Sequence, residues 1–165
     1  MESDNTTINN TNMTVQSPHN VDNSDRSNHL YLVGSSLLFI IPIAIFLMKK
    51  QKNVWEYVLC ILLVINFILS LLFWSQPIQH STIHFYDAIF GRISLFLFIF
   101  YIFFIKHFGS PGNLKLLSFI VLFFILILFY YSDVYSSKEW CSDNHIMCHF
   151  LFHMFISIGC SLAFY

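Results

Sequence analysis

The chain has 165 residues, 56% hydrophobic and 19% aromatic, with only 10% charged and a formal net charge of -1. Soluble domains carry about a quarter charged residues, so this composition, with a mean hydropathy of +0.65, excludes an ordinary soluble domain. The absence of excess positive charge gives no footing for a nucleic-acid partner. What remains is a small all-α, polytopic integral membrane protein, of the plasma membrane or an endomembrane, with the lipid bilayer as its solvent.

Residues 1–29 are rich in Asn, Ser, Thr and Asp, without apolar periodicity, and read as a disordered tail. No basic segment leads into an apolar one there, so a cleaved signal peptide is not expected. The tail holds three glycosylation sequons, at Asn5, Asn9 and Asn12.

The transmembrane domain is expected over residues 30–165, as five apolar blocks at about 30–48, 54–74, 84–105, 114–131 and 145–165. Each approaches the roughly 20 residues that carry a helix across hydrocarbon. The first loop holds Lys49, Lys50 and Lys52, and the third holds Lys106 and Lys115. The positive-inside rule then puts both basic loops in the cytosol, the N-terminus outside or lumenal, and the C-terminus cytosolic. The sequons fall on the glycosylated side of that topology. Trp55, Trp74, Tyr130, Tyr131 and Trp140 stand at block ends, where interfacial anchors are expected. Of the four cysteines, Cys60 and Cys160 read as small apolar filler, while Cys141 and Cys148 are near enough to pair if the chain bends.

The same topology brings His80, His84, Asp87, His145, His149 and His153 into one layer near the outer interface. Residues four apart share a helix face about 6 Å apart along the axis, so His149 and His153 can hold one ion from a single helix. Ser157 and Ser161 extend that stripe inward, and Asn66 and Ser70 form another on the second block. Such stripes should face other helices. Neutral imidazole and carboxylate suit zinc, whose catalytic sites keep three protein ligands and a water. His80, His84, His149 and His153 are the candidate metal ligands. Asp87 is the candidate catalytic acid or base, with the alternatives that it ligates the metal itself or caps its helix. His145 reads as a wetted interfacial residue. Arg92 lies inside the third block, about 140° around the helix from Asp87, and either snorkels outward or meets an anionic headgroup. Gly91 beside it would permit a close helix contact.

A histidine-bearing end of an early helix, an Asp at the start of the next and His-x-x-x-His in the last helix resemble the CREST superfamily. That group contains alkaline ceramidases, progestin and adipoQ receptors and myomaker-like proteins. The likeness rests on His149-Phe150-Leu151-Phe152-His153, on Asp87 and on His80 or His84. It implies a zinc site in a helical bundle that cleaves amide or ester bonds in lipids, with His149 and His153 as the last-helix pair and His80, or His84 in its place, as third ligand. The chain departs from the pattern in having five blocks rather than seven helices. Ser70 also stands four residues before Trp74, not before a histidine. The expected function is a zinc-dependent hydrolase of membrane lipids. The alternative is a non-enzymatic assembly, fusion or adaptor protein whose histidines pack helices or sense pH.

Overall fold

A computed structural model describes residues 29–106 and 112–165. The sequons at Asn5, Asn9 and Asn12 lie outside the described residues. Five helices are each long and apolar enough to cross a membrane: α1 Leu30–Met48, α2 Val54–Ser75, α3 Thr82–Lys106, α4 Gly112–Lys138 and α5 Asp143–Phe164. The chain is therefore a multi-pass helical membrane protein, as its composition requires. The largest boundary difference is in α4, which continues past Tyr131 to Lys138. Tyr130 and Tyr131 thus lie inside that helix rather than at its end.

Local chemistry explains where these helices begin and bend. Asn53 and Glu56 form a reciprocal capping box at the start of α2. Ser81 and Ser142 are the N-caps of α3 and α5, accepting from the backbone N–H of His84 and His145. Asp87 is accordingly not the cap of its helix. In α1 a 3-10 turn at Leu37–Phe39 precedes Pro42. Proline has no N–H to offer the carbonyl four residues back. Leu38 O instead accepts from Ser157 Oγ of α5 at 2.7 Å, so the serine stripe repairs the proline defect within the bundle. The last turns of α3, Tyr101–Lys106, are π-helical, and Tyr101 and Lys106 from this segment reach the neighbouring helices.

The helices pack in the order α4, α5, α1, α2, α3, with α5 against both α4 and α1, and α2 against both α1 and α3. Gly159 lets α5 settle on α4, since a Cβ there would lie 3.3 Å from Ile125 Cδ1 and 3.5 Å from Val121 Cγ1. Gly91 is not a comparable contact, because its added Cβ would meet only Asn66 Oδ1, at 3.9 Å. Among the described residues, the two ends of the sequence of helices, α3 and α4, have no extensive backbone approach to each other. Long side chains span the gap: Phe103 meets Phe119 with centroids 4.6 Å apart, and Arg92 lies over Phe129 at 5.9 Å. A cavity of about 190 Å³ occupies the space between them and reaches α1, α2 and α5.

The apolar core has two parts. One runs from mid-bundle to the basic-loop end, through Phe46, Leu59, Leu63, Phe98 and Phe164. The other, at the histidine end, is built from Leu32, Phe73, Trp74, Cys141 and Ile146. Cys60, Cys141, Cys148 and Cys160 are all buried thiols, so Cys141 and Cys148 form no disulfide.

Candidate functional site

The histidine end is organised by one local motif that occurs twice. Ser81 and Ser142 cap their helices, and the residue before each, His80 and Cys141, has a positive φ, 62° and 60°. Non-glycine residues adopt that conformation at a cost, and here it turns a backbone N–H onto an imidazole. His80 N–H donates to His84 Nδ1 at 3.1 Å, and Cys141 N–H donates to His145 Nδ1 at 3.2 Å. In a neutral ring whose Nδ1 accepts, the proton sits on Nε2. His84 and His145 are thereby fixed as N–H donors, and both line the cavity.

The pair from the last helix is held differently. The rings of His149 and His153 are 4.7 Å apart, edge to face. Ser132 of α4 bonds His149 Nδ1, and Ser35 of α1 bonds His153 Nδ1, each at 2.9 Å. Ser35 Oγ also donates to Leu32 O. A hydroxyl has one proton, so Ser35 must accept from His153 Nδ1–H, which leaves the lone pair on Nε2. His153 is therefore available as a base or ligand. His153 is 4% exposed, which places the α5 histidine stripe against helices rather than lipid.

An indole closes the group. Trp74, 1% exposed, lies 4.9 Å from the His149 ring and 6.1 Å from that of His145, and stacks on Trp140. It is a buried wall of the site, not an interfacial anchor. Trp140 donates its Nε1–H to Pro77 O, whereas Trp74 Nε1 is buried without a hydrogen-bond partner. Asn66 Oδ1, further along α2, is another buried polar atom without one, although Asn66 Nδ2 donates to Leu62 O and to Ser94 Oγ.

The expected layer thus assembles in part. His84, Asp87, His145, His149 and His153 all line the one cavity, joined by Arg92 from α3 and Asp133 from α4. His80 does not line it; its side chain is exposed, and its contribution is the backbone N–H given to His84. His145 is 2% exposed, packed on Trp140 with centroids 5.1 Å apart, not wetted. Asp87 and Arg92 form no ion pair among the described residues, where Lys49–Glu56 is the salt bridge present. Arg92 lies over Phe129, so cation–π contact fixes its direction.

Among the described residues, no group of three or more His, Cys, Asp or Glu side chains is arranged to hold a metal ion. The hydrogen bonding shows which donors are committed. His84 and His145 present N–H rather than a lone pair, so of the residues singled out in the sequence that line the cavity, His149, His153 and Asp87 are left to a metal, with Asp133 beside them.

Sequence reasoning missed three contributors. Ser35 and Ser132 each place a hydroxyl on a histidine from another helix; a serine within an apolar run was the only signal for Ser35, and Ser132 falls just beyond the fourth apolar block. Trp74 stood at a block end, which is also where an anchor belongs. No protein-family model, curated protein sequence or solved structure matches the chain.

Proposed function

We propose that this protein binds a membrane lipid, with the headgroup among the histidines and the acyl chain along the gap between α3 and α4. The observation that carries this reading is the gradient along one cavity. Its histidine end is lined by His84, Asp87, His145 and His149, and its remainder mostly by apolar side chains such as Leu95, Phe98, Ile102, Leu122 and Ile156, with Asn66, Arg92, Ser94 and Ser118 among them. An amphiphile has the same gradient. Because side chains rather than packed backbones span the gap, entry is lateral, from the bilayer. The tail and the histidine end face outside or the lumen in this reading, as the basic loops require.

The test is a photoactivatable acyl lipid incorporated into bilayers with the full chain. Crosslinks are expected on the facing sides of α3, α4 and α5, and Ala88→Trp, which fills the cavity from α3, should abolish them without loss of fold. Labelling spread evenly over all lipid-facing surfaces, or unchanged in Ala88→Trp, would refute the reading.

A second reading is favoured by one feature, the free Nε2 of His153 beside His149. Here the protein is a zinc-dependent lipid amide or ester hydrolase similar to the CREST enzymes, with His149, His153 and Asp87 as the ligand set or with Asp87 as acid or base. Zinc bound there would lower the pKa of a bound water to about 7. Metal analysis of the purified protein decides it. Stoichiometric zinc lost in His149→Ala/His153→Ala supports the hydrolase, and metal-free wild-type protein leaves lipid binding without hydrolysis.

A further inference from the structure

Three N–H groups at the histidine end have no acceptor among the described residues. Trp74 Nε1 is buried without a partner. The Nε2–H of His84 and of His145 follow from the capping motif, in which each Nδ1 is occupied by a backbone N–H. The three rings are gathered around Trp140, whose centroid lies 5.3 Å from His84, 5.1 Å from His145 and 6.1 Å from Trp74. A buried donor without an acceptor, as at Trp74 Nε1, is destabilising, and backbone strain at His80 and Cys141 adds to the cost of this arrangement. Both are explained if a ligand supplies the oxygen.

The charges on the cavity wall select the kind of oxygen. All three donors are neutral. The cationic group, Arg92, branches from α3 eight residues after His84, its backbone about 12 Å further along the axis. Its guanidinium lies over Phe129 and its charge reaches His84, and a second carboxylate, Asp133 of α4, shares the wall. Asp87, one helical turn from His84 and on the same face, shares the wall and has no cation bonded to it among the described residues. An anionic headgroup would be desolvated beside a carboxylate without a counter-charge, which is costly. An uncharged head bearing hydroxyls suits the wall, since its oxygens accept from the N–H groups and an O–H donates to Asp87.

We propose that Trp74, His84 and His145 form a three-donor site for an uncharged, hydroxyl-bearing lipid headgroup, with Asp87 accepting from that headgroup. This specifies the ligand class and rests on the lipid-binding reading above. Its donors differ from the His149/His153 pair of the hydrolase reading, although Trp74 and His145 adjoin His149 and Asp87 is common to both.

The test compares two probes with the same chain and glycerol, monooleoylglycerol and oleoyl-lysophosphatidate, which differ in the phosphate. Affinity for the full chain in detergent micelles is measured by native mass spectrometry. Monooleoylglycerol is expected to bind at least ten-fold more tightly. His145→Asn and His84→Asn keep an acceptor for the capping N–H and delete the distal donor, while Trp74→Phe keeps the ring. Each should weaken monooleoylglycerol binding about five-fold, as for one hydrogen bond. If Trp74→Phe does not fold, the two His→Asn variants carry the test. Equal or tighter lysophosphatidate binding overturns the headgroup assignment alone, and wild-type affinity in the variants overturns the donor assignment. Binding of neither probe overturns both, together with the lipid-binding reading.

Discussion

The two ends of the bundle each bury polar groups, but they do so in opposite ways. At the basic-loop end Glu56, 2% exposed, accepts from Lys49 Nζ at 2.7 Å, Tyr101 OH at 2.8 Å and the Asn53 backbone N–H at 3.2 Å. Asn53 Nδ2 donates in turn to Tyr101 OH, and Lys106 Nζ caps the carbonyls of Leu162 and Ala163. Charge meets charge there, and both carboxylate oxygens of Glu56 have partners. At the histidine end Asp87, and deeper in the same cavity Arg92, have no ion-pair partner among the described residues, and Trp74 Nε1 has no acceptor there. A satisfied network is what a structural clamp needs. Unsatisfied groups gathered on one cavity are what a binding site needs, and that contrast separates architecture from function in this chain.

Breaking the clamp should have the largest effect on stability and none on the ligand. Glu56→Ala strands Lys49 and Tyr101 and is expected to cost about 3 kcal/mol, read by reversible unfolding in mixed micelles, with lipid affinity of the folded fraction unchanged. Gly159→Val forces α5 away from Ile125 and Val121 and should cost about 2 kcal/mol in the same assay. Because α4 and α5 both line the cavity, it should also redistribute the lipid crosslinks. Ser35→Ala removes the acceptor of His153 Nδ1–H, at about 1.5 kcal/mol. A loss of ligand or metal binding beyond that stability change would sharpen the histidine end as the functional one. The smallest effect is expected from Ser142→Ala, about 1 kcal/mol for a lost N-cap. It should loosen His145 and weaken monooleoylglycerol binding, whereas an identical affinity would make the cap purely structural.

The sequence made the helical class and the number of spans legible, because long apolar blocks are one-dimensional signals. Asp87, His84, His145, His149 and His153 do share a cavity, as their common layer suggested. What each imidazole does was not legible. His84 and His145 have the same residue type as His149 and His153, yet the first two are set by serine caps and strained neighbours and the others by hydroxyls from α4 and α1. Those differences arise from contacts between distant segments, such as Ser35 with His153, that spacing along one helix cannot express. His80 sits close to His84 in sequence, but its positive φ turns the backbone inward while its side chain remains exposed. Trp74 shows the same limit, since an aromatic at a block end is an anchor or a wall according to what packs over it.

The most direct test of the contrast between the two ends is thermal unfolding of the detergent-purified chain with and without saturating monooleoylglycerol. A ligand that binds only the folded state stabilises it, by about 2.7 kcal/mol at a hundred times its Kd. A raised Tm is predicted for the wild type and no rise for Ala88→Trp, whose cavity is filled. An equal rise in both proteins, or none in the wild type, would contradict the account.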